Sequence, residues 1–461
     1  MESSGTARGP PEGGRARRVA QRSRAARPAT HVPVLVHPRA PSHYIPRVPL
    51  DPYASFRIPD FRRFIVSLLT MTLGAQVQTL VVSWQIYGIT HDPLSLGLIG
   101  LAEVVPFIGV ALFAGHVADR LDRRRIALWS LGVLLTCALV LVVLSRSHAW
   151  VAAHGVWPFY IVLAVGGLAR SFLGPARNSL AVGLVPREIL PNSIAWRSST
   201  FQVGAVAGPA LGGLLYGFAG VTAAYAVQAI LIMVALVAFG LVRARGAAGG
   251  ADRDDGARDD LLSGLRFVWS ERVLLGAQTL DLFSVLLGGA EALLPVFADR
   301  VLHVGPEGLG ALRAAPAVGA MAMSFVMAHR RPLRRAGRTM LVAVALYASC
   351  IVGFGLSRSF ALSAALLLVS GMADNISVLV RQTMLQVLTP APLLGRVLAV
   401  NSIFVGSSNE LGEFESGVTA RLLGTVPAVV LGGLASLAVV GIVALSVPRL
   451  RRMREIQPAA R

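Results

Sequence analysis

The chain has no lysine at all, and only two cysteines among its 461 residues. Cys137 and Cys350 both fall inside apolar runs, which excludes a disulfide framework and any cysteine-rich metal site. The histidines show no metal-ligand spacing, and there is no phosphate-binding glycine loop, so no cofactor is expected and ATP cannot drive the protein directly. Charge is scarce: 15% of residues are charged, against about 25% in an average soluble domain. No catalytic constellation appears, and the chain is not expected to be an enzyme. Acids number 24 against 43 bases, all of them arginine, for a net charge of +19. Such a balance fits nucleic-acid binding in general. Here, however, the arginines sit between apolar runs, so no nucleic-acid partner is expected.

What is abundant is apolar sequence. Hydrophobic residues make up 54% of the chain and mean hydropathy is +0.64. They come in blocks of about 20, the length of a helix crossing about 30 Å of hydrocarbon. The blocks predict an all-α membrane protein with about twelve spans in two groups of six. The first group is expected over 64–89, 94–117, 126–144, 156–176, 199–218 and 221–242. The second is expected over 273–298, 308–329, 339–356, 360–387, 397–423 and 426–447. The resulting divisions are an Arg/Pro-rich tail without apolar period (1–59), a six-helix half (60–242), a linker (243–271), a second half (272–448) and an arginine-rich tail (449–461). No signal-peptide core stands in the first of these. Within the linker, 261–269 has one apolar face and is expected to lie along the membrane surface. Arginine is concentrated in alternate loops, which puts both termini in the cytoplasm and the protein in the inner or plasma membrane.

The halves repeat one another. Gly100, Pro106 and Gly109 recur as Gly310, Pro316 and Gly319, 210 positions later. Gly167, Arg177, Pro186, Gly208, Gly213 and Gly220 recur as Gly371, Arg381, Pro390, Gly412, Gly417 and Gly424 at a spacing of 204. The difference is absorbed by an extra loop at 148–156. Parallel six-helix halves related about the membrane normal are a transporter architecture.

One loop stands out between the second and third spans: Gly115-His-Val-Ala-Asp119-Arg120-Leu-Asp-Arg123-Arg124-Arg125. It resembles the signature loop of the major facilitator superfamily. By that resemblance Gly115, Asp119, Arg120, Arg123 and Arg124 form a cytoplasmic gating latch. In the second half the counterpart, His329 to Arg338, keeps its bases but has no acid corresponding to Asp119. Gly204-Ala-Val-Ala-Gly208-Pro209-Ala-Leu-Gly212-Gly213 resembles the helix-packing motif of drug/proton antiporters, with Ala195 where the longer motif has a further glycine. The run Arg170-Ser-Phe-Leu-Gly-Pro-Ala-Arg177-Asn-Ser-Leu, then Leu184-Val-Pro-Arg-Glu-Ile-Leu-Pro191, is similar to the enterobactin-exporter-like branch of the superfamily.

The resemblance implies a cavity lined by the first, fourth, seventh and tenth spans. Candidate cavity or substrate residues are then Gln76, Gln78, Arg170, Gln278, Asp374 and Arg381. Ionisable groups inside a span are costly and so are functional candidates. Asp281 is the first candidate for proton coupling and Glu103 the second. Arg170 and Asp374 are repeat equivalents of opposite charge and can pair across the pseudo-twofold axis, as a gating or a static pair. Glu410 and Glu413 share one face of the eleventh span and are expected at an inner seam near the latch arginines.

The function expected is a secondary transporter: proton-coupled export of a mid-sized organic molecule, siderophore or drug-like, by a monomer in the lipid bilayer. Two alternatives stand beside it, an importer or facilitator of a small nutrient and a non-transport sensor module.

Overall fold

The structure, a computed structural model, describes residues 51–120, 122–243, 257–329 and 335–453. The expected tail up to residue 50, residues 244–256 of the linker, the second-half loop at 330–334 and the chain end from 454 lie outside the described residues. In the first half, α1 is Pro59–Thr90, α2 Pro93–Arg120, α3 Arg123–Arg146, α4 Trp157–Gly183, α5 Leu190–Ala219 and α6 Val221–Gly240. A short helix, His148–His154, occupies the extra loop between α3 and α4. In the second half, α7 is Arg272–Leu287, α8 Pro306–Ala328, α9 Ala336–Leu356, α10 Phe360–Leu388, α11 Ala391–Leu423 and α12 Thr425–Ser446. The amphipathic linker segment forms the helix Ala257–Ser270. Among the described residues there is no strand.

Ten of these helices are long and apolar enough to cross a membrane; α7 and α11 are the exceptions. The continuous seventh span expected over 273–298 is corrected: α7 stops after 16 residues, at Gly288-Gly289. A β-carbon at Gly289 would lie 2.9 Å from the Gly412 carbonyl oxygen, so only glycine fits where the chain meets α11. The non-helical segment that follows, 288–293, carries buried Ala290, Ala292 and Leu293, and helix resumes over Leu294–Val296 and Phe297–Val301. Non-helical backbone is tolerated at membrane depth when protein covers it. For α11 the reason is different. It is 33 residues long, but Asn401, Ser408, Glu410, Glu413 and Ser416 interrupt its apolar sequence.

Within the first half α1 packs on α5 and α6, α2 on α4, and α3 on α4 and α6. Between halves, α2 meets α11 and α5 meets α8. The sequence repeat exchanges α2 with α8 and α5 with α11, so these two contacts are equivalents of one another. Glycine permits both crossings. A β-carbon at Gly417 would sit 2.7 Å from Gly97 Cα, and one at Gly310 would sit 2.8 Å from the Pro209 carbonyl oxygen.

The apolar core shows how the halves are joined. One cluster runs through both, from Val77, Leu80 and Tyr225 to Leu294, Phe297, Phe354 and Ala420. Two further clusters stay within single halves. One holds Phe61, Phe64, Ile126 and Phe239, the other Leu274, Met340, Met384 and Val397. The shared cluster takes the start of α2 and the far end of α3, away from Arg123; the separate clusters lie at the arginine-rich end. The described core is fused at one end of the bundle and divided at the other.

Candidate functional site

The contact between α2 and α11 carries the charge. Glu103 on α2 bonds Arg170 on α4 at 2.7 Å. Gly167 makes this possible, because a β-carbon there would lie 2.6 Å from the Glu103 carbonyl oxygen. One turn earlier, a β-carbon at Gly100 would be 2.6 Å from the Glu410 carbonyl oxygen and 3.3 Å from Glu413 Oε2. Glu410 interacts electrostatically with Glu413, Glu103, Arg170 and Arg313, and Glu413 with Arg313, Glu103 and Glu291. Three carboxylates from α2 and α11 thus share two guanidinium groups from α4 and α8. Arg170 pairs here with Glu103 of its own half, not with Asp374. Asp374 lies within electrostatic range of Glu291. Glu410 and Glu413 face Gly100, near the fused end, so the seam with the latch arginines is not where they lie.

A second ionic centre lies inside the second half. Asp281 on α7 pairs with Arg381 on α10, both nearly enclosed, with side chains 9% and 3% exposed. One turn before Asp281, Gln278 Nε2 donates to Asn401 Oδ1 at 2.8 Å. In the first half Gln228 Nε2 donates to Gln78 Oε1 at 2.6 Å, and the Tyr225 hydroxyl to Gln85 Oε1 at 2.7 Å. Both amides hold α1 against α6, so Gln78 is committed within its own bundle. The helix-packing glycines divide their work. Gly204, Gly208 and Gly212 let α5 approach Thr72, Gln76 and Val77 of α1, whereas Gly213 meets Pro306 and Gly310 of α8. Pro209 lies inside α5 between them.

Residues 50–461 match the transmembrane secretion effector family. The chain belongs to that family. It is 25% identical over 410 residues to the enterobactin exporter EntS of Shigella boydii and to that of Escherichia fergusonii, covering 89% of this chain and 95% of each relative. Solved structures share the fold at lower identity. The nucleoside transporter NupG matches with a TM-score of 0.68 at 11% identity, over 84% of this chain and all of its own. A bacterial homologue of the iron transporter ferroportin, in an inward-facing state, gives 0.66 at 16% identity, over 86% and 99%. The fold is that of the major facilitator superfamily, and the protein is a membrane transporter, not an enzyme.

In this secretion effector the latch is described in part. Gly115, Asp119 and Arg120 lie on the last turns of α2, and their side chains are outside the described residues. Asp122 caps α3, its Oδ1 accepting from the Arg124 backbone N–H at 2.9 Å. The Arg124 side chain donates to the Gly240 carbonyl oxygen at 2.5 Å. Arg63 does the same to the Leu241 carbonyl oxygen at 3.0 Å. Cations at a helix C-terminus satisfy its free carbonyls and its dipole. Arg124 therefore anchors α6 as well as belonging to the loop; Arg123 begins α3 beside it.

The residue that sequence reasoning missed is Arg313. The signal for it was present, since Arg313 follows Glu103 by 210 positions, the spacing of the flanking glycines and proline. The two charges occupy equivalent places in the repeat with opposite sign, and both act on Glu413.

Proposed function

We propose that this secretion effector exports a mid-sized organic molecule, a siderophore or drug-like compound, by proton-coupled alternating access. The observation that carries the reading is the core that is fused at one end and divided at the other, since such a bundle can rock about its fused end. With arginine-rich loops inside, the divided end faces the cytoplasm, and this is the cytoplasm-open state of a monomer with both termini inside. The naming of the curated relatives as exporters supports the direction.

Glu103 is the better coupling group. Asp281 is held by Arg381 of its own half, whereas Glu103 lies within electrostatic range of Glu410 and Glu413 of the other half. Glu103 sits at the contact between the halves, with one carboxylate more than the arginines around it can neutralise. Protonation of this cluster from outside would relieve the excess, and deprotonation inside would restore it. Gln76 and Gln278, with Asp374, would line the cavity.

The test uses inside-out vesicles with an acid interior, a pH-sensitive dye, and a panel of catecholate siderophores, macrolides and tetracyclines. A compound that discharges the gradient with the native chain but not with Glu103→Gln supports the reading. Discharge that persists in Glu103→Gln and stops in Asp281→Asn moves the coupling to the second half.

A further inference from the structure

The two halves differ at one arginine of the repeat. Arg177 and Arg381 are repeat equivalents at a spacing of 204, and so are Arg197 and Asn401. Met71 and Asp281 are separated by 210, the spacing found for the neighbouring pair of helices. In the second half Arg381 is neutralised by Asp281. In the first half Arg177 Nη1 reaches Met71 Sδ at 3.7 Å. One repeat position thus holds an ion pair in one half and an arginine against a thioether in the other. The imbalance is increased by Arg197, which is close enough to repel Arg177. Arg197 donates to Asn178 Oδ1 at 3.0 Å and lies 5.7 Å from the centre of the Phe64 ring. The Nε atoms of Arg177 and Arg197 are buried and have no hydrogen-bond partner among the described residues.

Arg177 lines a cavity of about 160 Å³ between α1, α3, α4 and α6. Its other polar walls are already committed, Arg170 to Glu103 and Gln78 to Gln228, and Met71, Leu134, Leu173 and Ile232 are apolar. An apolar cavity of about 150 Å³ accepts benzene. A guanidinium with a buried, unpartnered Nε and no acid beside it is costly, and its fork matches a carboxylate in two parallel hydrogen bonds.

We propose that this cavity is an anion site for an aromatic acid, with the ring against Met71, Leu134, Leu173 and Ile232, the oxyanion on Arg177, and Arg197 as supporting charge. It rests on the export reading only in assigning the anion to the transported molecule. A phospholipid phosphate offers the same oxyanion chemistry from another source.

The experiment is calorimetric titration of the full chain in neutral detergent with benzoate and with benzyl alcohol, which has the ring but no charge. Benzoate should bind about 10- to 100-fold more tightly, the worth of a charge-assisted hydrogen bond. Arg177→Met should abolish that preference and Arg177→Lys should keep part of it. Met71→Asp should abolish it too while leaving the thermal transition at or above that of the native chain, because it supplies the acid the second half already has. Unchanged benzoate affinity in Arg177→Met and Met71→Asp, or equal binding of the alcohol, overturns the proposal. Repeating the titration in nanodiscs of phosphatidylglycerol and of phosphatidylcholine separates the sources. Loss of benzoate binding only in the former assigns the site to the headgroup, and equal binding in both assigns it to the solute. Binding is read without a gradient, so failure of export in vesicles leaves it standing. Export that survives Arg177→Met with unchanged KM removes the site from the transport path alone.

Discussion

Asp92, in the turn between α1 and α2, lies 3.3 Å from Arg421 near the end of α11. The pair joins the two halves at their fused end. Beside it, Arg300 donates to the His91 carbonyl oxygen at 3.0 Å and lies 5.7 Å from the centre of the Tyr87 ring. Both links must break if the bundle is to open on this side. The side chains of Arg421 and Asp92 are 57% and 35% exposed, and exposed pairs contribute only about 0–1 kcal/mol. Arg421→Ala alone is therefore expected to leave the conformational balance almost unchanged. Arg421→Ala with Arg300→Ala should add a longer component to the distance distribution between spin labels at Ile89 and Leu422. A double variant with the native distribution would mean that packing alone holds this end shut.

The glycine crossings make the stronger claim. Since a β-carbon at Gly310 would lie 2.8 Å from the Pro209 carbonyl oxygen and one at Gly100 2.6 Å from that of Glu410, larger residues cannot enter the closed contact without moving a helix. Gly310→Val and Gly100→Val should each disfavour the closed end by about 1–3 kcal/mol, a shift of roughly 5–150-fold in the balance of states. Export should fall while membrane insertion is retained. The same spin-label pair should report a longer mean distance, and an unshifted distribution in both variants would contradict the crossing as drawn.

The class and repeat of this fold were legible because bilayer-length apolar blocks and glycine spacings are one-dimensional signals. The break in α7 was not. Gly288-Gly289 reads in sequence like any small-residue packing pair, no different from the glycine contacts that leave α2, α4 and α8 unbroken. Ion pairing was legible by position along each helix and illegible by partner. The spacing of 204 set Arg170 opposite Asp374, but Gly167 draws α2 so close to α4 that Glu103 of the same half takes the bond first. Arg177 was visible in the sequence as the repeat equivalent of Arg381. That it lacks the acid held by its repeat partner required knowing that Met71 and Asp281 occupy corresponding places.

The Asp281–Arg381 pair is expected to matter more for stability than for coupling. Removing one member of a buried pair leaves an uncompensated charge and costs about 3–5 kcal/mol, whereas replacing both by apolar residues can be neutral. Asp281→Leu should lower the temperature at which the chain aggregates in detergent, and Asp281→Leu with Arg381→Met should recover most of the loss. If the double variant stays as unstable as the single and also abolishes proton movement, the pair belongs to the transport cycle and not to the scaffold.

The two aspartates of the signature loop should separate by function. Asp122 caps α3 in the present conformation, and losing a cap costs about 1 kcal/mol. Asp122→Ala should therefore lower stability slightly and leave both conformations in balance. Asp119, by the family resemblance, acts when the arginine-rich end closes, a state in which the now-divided cores would approach one another. Asp119→Asn should consequently leave folding and the cytoplasm-open state intact, deplete the opposite state, and cripple export. Spin labels on α3 and α9 at the divided end, one at Trp129 and one at Val342, would read the difference. A short-distance population lost in Asp119→Asn and kept in Asp122→Ala assigns the latch to Asp119. Equal loss in both would make the loop a folding element, with Arg124 and the end of α6 its true anchor.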